Sequence, residues 1–284
     1  QYNVRGGSYD ENSVYVNGLE VHRPLLIRSG QQEGLSFVNP DMVESVDFSA
    51  GGFDAKYGDK MSSVLDIRYK HPTRLESRLS MSLLGASGYV GWGDSTHTQM
   101  HGVRYKTSRY LLGTLETQGN YNPNYVDYQT QMTWKIGEKA MGQLGDRAKS
   151  WEIILLGNIS QNSYEFAPES SGTTFGTMDQ ALEIQKEHIG QEKDLFRTAY
   201  AALSVQHQLT RSIQLGFNLS GFYTHEQETF DIDTEYVLSE KPAEDNPSNK
   251  QDGEELDTNT SSSALGTGHY HEHARNRLQA GMVT

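Results

Sequence analysis

The sequence predicts an all-β protein in two parts, a small glycine-rich β module followed by a series of longer strands. Asn17-Gly18 lies between two short apolar runs. This is the signal of a type I′ hairpin, because both turn positions need a positive φ. From Leu75 onward, apolar and polar residues alternate at a period of two over several long segments. The spacing of an amphipathic helix is not sustained in any segment, so we expect sheets throughout.

The alternation separates apolar residues from amides and hydroxyls. On the segment 126–136, the even positions are mostly apolar, whereas Gln129, Gln131 and Thr133 lie on the other face. The segment 213–223 shows the same division, with Leu215, Phe217 and Leu219 opposite amide and hydroxyl residues. A water-filled lumen and a solvated sheet both require such a polar face, and periodicity alone does not separate these two cases.

Composition excludes several classes of protein. The chain has 284 residues, with 37 acidic and 24 basic ones, and a formal net charge of −13. This balance argues against a nucleic-acid partner, because phosphates require a basic face. With no cysteine, the chain has no disulfide, thiolate nucleophile or cysteine metal site. The longest aliphatic run, 153–156, is far shorter than the roughly 18 residues of a helical membrane span, whereas a β-barrel remains compatible.

One group of residues suggests metal chemistry. His269, His271 and His273 alternate, so on a strand they share one face, where three imidazoles can bind a transition metal. The interpretation that we favour is a wet, polar strand rim, since no partner carboxylate is apparent in register. The chain shows no nucleophile elbow, zinc-protease pattern or P-loop. We therefore predict no enzyme activity, no metal and no cofactor.

The N-terminal module carries a series of motifs. Val-Arg-Gly-Gly precedes the hairpin, an Asn-Pro pair begins an alternating strand, a Gly-Gly corner follows, and a Tyr-Gly pair leads to a last alternating strand. In order and spacing, this segment resembles the plug domain of TonB-dependent outer-membrane receptors. The chain lacks the Asp-Ala-Ser-Ala run of the SusC-type glycan importers. The motif positions are Arg5, Gly6, Gly7, Asn17, Gly18, Asn39, Pro40, Gly51, Gly52, Tyr57 and Gly58.

The resemblance implies an all-β membrane barrel with an α+β plug domain. Residues 1–71 would form the C-terminal part of the plug, and residues 72–284 the first strands of the barrel. Barrels of this family have about 22 strands around a plugged lumen. At about ten residues per strand plus loops, the chain supplies about eight strands of this larger barrel, so we expect a partial chain. Long loops are expected at 164–195 and 230–267.

The resemblance also implies a function. The expected protein is a receptor of the Gram-negative outer membrane that imports a substrate through the plugged barrel. Its partners would be the lipid bilayer and a TonB-type energy-coupling protein, bound through a segment that is not in this chain. An extracellular lipoprotein or other outer-membrane subunits remain open as further partners. The alternatives are a plugged barrel that works as a subunit of a surface or secretion complex, and a soluble β-sandwich adhesin.

Two expectations concern single motif positions. In the family, the arginine of the Val-Arg-Gly segment pairs with barrel carboxylates, so the resemblance implies that Arg5 is buried and salt-bridged. Gly51, Gly52 and Gly58 are expected in turns that a Cβ atom would obstruct.

Overall fold

The chain forms two sheets. The computed structural model describes residues 4–7, 11–22, 36–58, 61–107, 119–137, 150–168, 170–176, 181–210, 212–241 and 264–284. In these ranges, four short strands make a first sheet, here called the plug sheet, and ten strands make a second one, here called the wall sheet. The first ends at Tyr69 and the second begins at Glu76.

The plug sheet has the strand order β2-β1-β4-β3. Strand β1 pairs with β4 in parallel, and the two other pairs are antiparallel. The predicted hairpin between β1 and β2 is present, with φ of 50° at Asn17 and 77° at Gly18. A 3-10 turn, Pro40–Met42, precedes β3, and Asn39 caps it by accepting a hydrogen bond from the Asp41 amide. The strands are β1 Asn12–Val16, β2 Leu19–Glu20, β3 Val43–Ser49 and β4 Ser63–Tyr69.

The wall sheet is an antiparallel series of eight long strands, in the order in which they follow along the chain. Two short strands lie beside this series, β8 against β10 and β11 against β12. The alternation seen in the sequence therefore predicted the eight main strands, whereas β8, β11 and the full length of β12 and β13 were not predicted. The strands are β5 Glu76–Ser82, β6 Gly85–Gly93, β7 His97–Thr107, β8 Gly119–Tyr121, β9 Asn124–Ile136, β10 Ser150–Pro168, β11 Ser171–Gly176, β12 Ala181–Gln208, β13 Gln214–Lys241 and β14 Ala264–Val283.

The long loops expected at 164–195 and 230–267 are largely strand, so this expectation is wrong. Strands β12 and β13 each have 28 residues and pair over their full length. The polar composition of these segments suggested loops, but hairpin pairing satisfies their backbone groups all the same. Residues 242–263 lie outside the described ranges.

The two faces of the wall sheet differ in chemistry. The inner face contacts the plug sheet, and its buried side chains include Gln129, Gln131, Thr133, Asn158, Ser160, Thr198 and Ser204. The outer face carries large apolar side chains that are exposed, among them Leu79, Met81, Val103, Tyr128, Ile159, Leu215, Phe217 and Leu219. A β-sandwich would pack such a face against a second sheet. Here it is open, as a lipid-facing surface would be.

Helices contribute little to the described part of the chain. Within these ranges, no helix combines the length and the apolar character needed to cross a bilayer.

We predict that Phe217→Asp hinders membrane assembly, because a charged side chain would face lipid. Phe217 is exposed on the outer face and pairs with Val205. Asn218→Asp is the matched control, since Asn218 pairs with the inward Ser204. Folding of urea-denatured protein into vesicles, followed by gel mobility without heating, measures the folded fraction. That fraction should fall for Phe217→Asp and stay unchanged for Asn218→Asp; equal folding of both variants would contradict a lipid-facing outer face.

Candidate functional site at the interface of plug and wall

Two glutamines on β9 connect the sheets. Gln129 Oε1 accepts hydrogen bonds from the Tyr69 hydroxyl at 2.9 Å and from the Asn39 amide at 3.2 Å. Its Nε2 donates to the carbonyl of Phe37 at 3.4 Å. Gln129 is completely buried, so these contacts replace the hydrogen bonds that the amide would make with water. A strand position on the inner face thus recognises three separate points of the plug.

The Asn-Gly turn provides a further contact. Asn17 Oδ1 accepts from the backbone amide of Tyr69 at 2.9 Å, and its Nδ2 donates to Gln131 Oε1 at 2.6 Å. The left-handed backbone of the turn holds the side chain between β4 and the wall. Asn is one of the few non-glycine residues that adopt this conformation readily. The hairpin is therefore also a docking element.

A buried ion pair holds the segment before the 3-10 turn. Arg104 on β7 lies opposite Asp127 on β9, with Nε–Oδ1 and Nη2–Oδ2 distances of 2.9 and 2.5 Å. The same guanidinium donates to the carbonyls of Ser36, Phe37 and Val38 at 3.0, 3.3 and 2.9 Å. Because both charged groups are buried, each depends on the other for compensation.

Apolar packing completes the interface. The rings of Phe37 and Tyr200 meet edge to face, with centroids 5.3 Å apart, and Tyr200 donates to the carbonyl of Glu20 at 3.1 Å. Gly102 gives the plug a close approach, since a Cβ there would lie 2.3 Å from Asn39 Nδ2. One buried cluster joins both sheets: Val14, Val16, Leu19, Val21, Phe37, Met42, Ile67, Tyr69, Tyr89, Met100, Tyr125, Leu156, Tyr200 and Ala202.

Burial also determines the protonation state of Tyr69. It raises the pKa of the phenol well above its usual range, against the opposing hydrogen bond from the Asn39 amide. The hydroxyl therefore stays protonated and donates to Gln129 at any physiological pH.

The structure brings only some of the motif positions together. Asn17 and Asn39 lie at the interface, with Pro40 opening the adjacent 3-10 turn. Tyr57 acts within the plug, where its hydroxyl donates to Asp66 at 2.7 Å and its ring packs on Tyr15.

Some of the motif glycines are required by their backbone conformation or close packing, and one is not. Gly51 and Gly52 have φ of 92° and 70° and so occupy the expected corner. Gly6 also has a positive φ, 77°, and a Cβ at Gly7 would collide with Ser62. At Gly58 the expectation is wrong, since nothing lies within 4 Å of a Cβ and φ is not positive.

The expected burial of Arg5 is wrong. Its side chain is exposed, and its backbone lies in a turn with φ of 52°. The guanidinium lies over the glycine corner, where Nη1 would be 3.0 Å from a Cβ at Gly51. This corner follows β3, an edge strand whose residues are mostly exposed, so the arginine remains at the surface of the plug sheet.

The three alternating histidines lie on the outer face of β14, opposite acidic residues of β13. His271 Nδ1 forms a short contact with Asp233, and His269 Nε2 lies 3.7 Å from the same carboxylate oxygen. His273 lies 3.6 Å from Asp231. The register supplies the carboxylates that the sequence alone did not place. Within the described ranges, no three His, Asp or Glu side chains are arranged to hold a metal ion.

The inner face of β12 and β13 carries a cluster of acidic side chains beyond the part that contacts the plug. Asp194 lies directly opposite Glu228, and Glu192 and Glu226 occupy neighbouring inward positions. Burial, followed by the charges of Glu192 and Glu228, raises the pKa of Asp194 to about 6. Burial and Glu228 also raise the pKa of Glu192. Like charges in direct cross-strand register destabilise a sheet, so this cluster weakens the fold at neutral pH.

The comparison with known families bears on the plug sheet. Residues 1–64 match the family model described as TonB-dependent receptor plug domain. Residues 1–64 are thus similar to the plug domain of TonB-dependent receptors, which confirms the resemblance of the N-terminal module. The wall sheet of antiparallel strands agrees with the expected fold class of a β-barrel with a plug domain. No curated protein matches the chain.

Two solved structures are similar to the chain at low identity. One is the siderophore receptor PirA from Acinetobacter baumannii, with 12% identity, a TM-score of 0.37 and coverage of 84% of this chain and 42% of that one. The other is a variant of the ferric enterobactin receptor PfeA from Pseudomonas aeruginosa, with 12% identity, a TM-score of 0.38 and coverage of 100% and 50%. The chain thus spans about half the length of these receptors.

Sequence reasoning missed the buried ion pair between Arg104 and Asp127 of the wall sheet, which holds the plug segment 36–38. It placed Asp127 on a polar strand face but gave it no partner. Arg104 occupies an inward position of another alternating strand, which was the available signal. The carbonyls of 36–38 carry no side-chain information, so only the folded chain shows that Arg104 binds them.

We predict that Arg104→Leu releases the plug segment 36–42, because Asp127 stays buried without a counter-charge and three carbonyls lose their donor. The cost should be about 3–5 kcal/mol. Hydrogen exchange of the segment and urea unfolding measure it. Arg68→Leu is the control, since Arg68 and Asp47 form an exposed pair at 3.9 Å, worth at most about 1 kcal/mol. The double variant Arg104→Leu/Asp127→Leu should be less damaging than Arg104→Leu alone; an equal or larger loss would mean that the carbonyl contacts dominate.

We predict that Asp194→Asn stabilises the protein at neutral pH. A carboxyl whose pKa is raised from 3.8 to about 6 favours the fold below pH 4 and loses that contribution as the pH rises through 6. The variant should melt at a higher temperature than the wild type above pH 6 and at the same temperature below pH 4. Glu187→Gln, at an exposed outer position of the same strand, should show no such pH-dependent difference. An equal effect of Asp194→Asn at both pH values would exclude titration as the cause.

Proposed function

We propose that the chain is part of a TonB-dependent importer of the bacterial outer membrane, in which residues 1–71 block the lumen until a TonB-type protein displaces them. The observation that carries the proposal is the plug-family match of residues 1–64 on a segment seated against the polar inner face of the wall sheet. TonB-dependent receptors are transporters, and a transporter needs a plug that can move. Binding to the energy-coupling protein would involve a segment that is not in this chain.

The composition of the interface supports a movable plug. Much of the attachment consists of hydrogen bonds between polar side chains of the wall and the plug. Gln129 accepts from the Asn39 amide and the Tyr69 hydroxyl, and Arg104 donates to the carbonyls of 36–38. Water can replace the neutral bonds at small net cost once a force separates the surfaces, because each contributes only about 0.5–1.5 kcal/mol, whereas those of the Arg104 guanidinium are stronger, at about 1.5–3 kcal/mol. A wholly apolar interface would lose its entire burial energy instead.

The connections suggest an orientation. The antiparallel strands β6, β9 and β12 end at one edge of the series, at Gly93, Ile136 and Gln208, and β5, β7, β10 and β13 end at the other, at Ser82, Thr107, Pro168 and Lys241. More residues of the sequence separate consecutive strands at the second edge. In barrels of this type the longer connections are extracellular. We therefore place the second edge, with the extensions of β12, β13 and β14, outside the cell.

A cysteine test probes plug movement without knowledge of the substrate. The chain has no cysteine, and Asn39 is almost completely buried. In the full-length protein on whole cells, Asn39→Cys should react with a membrane-impermeant maleimide only when the inner membrane is energised. A protonophore, or deletion of the TonB-type protein, should abolish the labelling.

A locked variant serves as control. The Cβ of a residue at 102 would lie 3.3 Å from Cγ of Asn39, close to the position of a cysteine sulfur there. Gly102→Cys/Asn39→Cys should therefore form a disulfide and resist labelling until a reductant is added. Labelling of Asn39→Cys that ignores the energy supply would contradict import. No labelling in either state would indicate a static plug and favour a structural subunit of a larger complex.

A further inference from the structure

The apolar part of the outer face has defined upper and lower limits. At one limit, Trp151 pairs with Ile136; at the other, Ile159 pairs with Tyr128 and Ala199. The stretch of β10 from Trp151 to Ile159 has nine residues, which is the length of a membrane-spanning strand. Aromatic rings mark both limits, as is typical of the two membrane interfaces. The last apolar row therefore lies at the level of the lipid headgroups.

Basic side chains occupy the next three rows of the outer face. Arg197 pairs with His225 in the first row. Gln227 pairs with Arg277 in the second, and Thr229 pairs with both Lys193 and Arg275 in the third. Lys193, Arg197, Arg275 and Arg277 are all exposed. We call these four residues the basic band.

The basic band departs from the charge of the chain as a whole, which is −13. Among the described outer-face residues of these rows on β10, β12, β13 and β14, the one carboxylate is Glu165, which lies 3.1 Å from Lys193. Four basic groups against one acidic group leave an excess of three positive charges. At this level of β12 and β13, the carboxylates Glu192, Asp194, Glu226 and Glu228 occupy inward positions, and the outward Asp231 and Asp233 lie further along β13. In these three rows of the wall sheet, positive charges thus lie mainly on the outer face and negative charges on the inner face.

We infer that the basic band binds the phosphate groups of phosphorylated lipids in the outer leaflet. The inference rests on the membrane placement in the proposed function. Arginine is suited to this contact because its guanidinium binds phosphate oxygens in a bidentate manner. The band adjoins the lipid-facing apolar surface, so one lipid places its acyl chains on the apolar rows and its phosphates on the arginines. A soluble anion or an acidic protein would make no use of that continuity.

The test compares lipids that differ only in phosphate. The full-length protein is placed in phosphatidylcholine nanodiscs that contain either bis-phosphorylated lipid A or its dephosphorylated form. Native mass spectrometry then measures retained lipid. The wild type should retain the phosphorylated form preferentially, and less so as salt is raised. Arg197→Gln/Arg275→Gln/Arg277→Gln should weaken retention by about fivefold per removed charge.

Controls separate the possible outcomes. Arg68→Gln removes an exposed charge from the plug and should leave retention unchanged. Replacing the three arginines by lysine keeps the charge and should restore part of the preference. Equal retention of both lipid forms by the wild type, or unchanged retention in the triple variant, would overturn the inference. Competition by inorganic phosphate at matched concentration would assign the band to a soluble anion instead. Failure to enter nanodiscs at all would overturn the membrane placement, and with it this inference, whereas insertion without lipid preference overturns the inference alone.

Discussion

The structure depends on one constraint, the two-residue period of its strands. Each side chain of the wall sheet faces either the plug or the opposite side, and a slip by one residue would exchange the two sets. On β9, such a slip would place Val126 and Tyr128 against the plug backbone and turn Gln129 outward. The polar contacts would be lost and amides would face the apolar side. The difference between the two faces therefore fixes the pairing register of the long strands.

The plug sheet and the wall sheet stabilise each other. Its own sheet is small, and the buried cluster that stabilises it includes Met100, Leu156 and Tyr200 from the wall. A four-stranded sheet with glycine corners buries too little apolar surface to stand alone. Polar side chains then fix its position, because Gln129 and Arg104 bind backbone atoms that occur in one arrangement only. Burial of apolar side chains thus stabilises the contact between plug and wall, and the hydrogen bonds fix the position of the plug on the wall sheet.

The sheet also separates charge between its faces. In the three rows next to the apolar ones, carboxylates point inward on β12 and β13 while arginines and a lysine point outward. Within the fold, the inward cluster is unfavourable, since Asp194 and Glu228 oppose each other directly. A cluster of like charges that lowers stability on the inner face of the sheet indicates a functional role and not a role in folding.

By itself, the sequence determined the class of each element. The Asn-Gly turn, the alternating strands, the order of β5 to β14 and the division into polar and apolar faces follow from local rules of turn conformation and side-chain period. The plug motifs identified the family because their order and spacing are local as well. Asn17 was found in this way as a turn residue and Asn39 as a motif residue, whereas the structure showed that Asn39 caps the 3-10 turn.

Only the tertiary structure decided which residues meet. Arg104 and Asp127 are 23 positions apart, and their pairing needs a register that neither strand encodes alone. The same holds for His271 and Asp233. The length of β12 and β13 could not be predicted either, because pairing between neighbours, and not composition, keeps their polar ends in strand form. The exposure of Arg5 could not be predicted either. Arg5 lies beside the edge strand β3 of the plug sheet, and a local sequence motif does not show which strand is at the edge of a sheet.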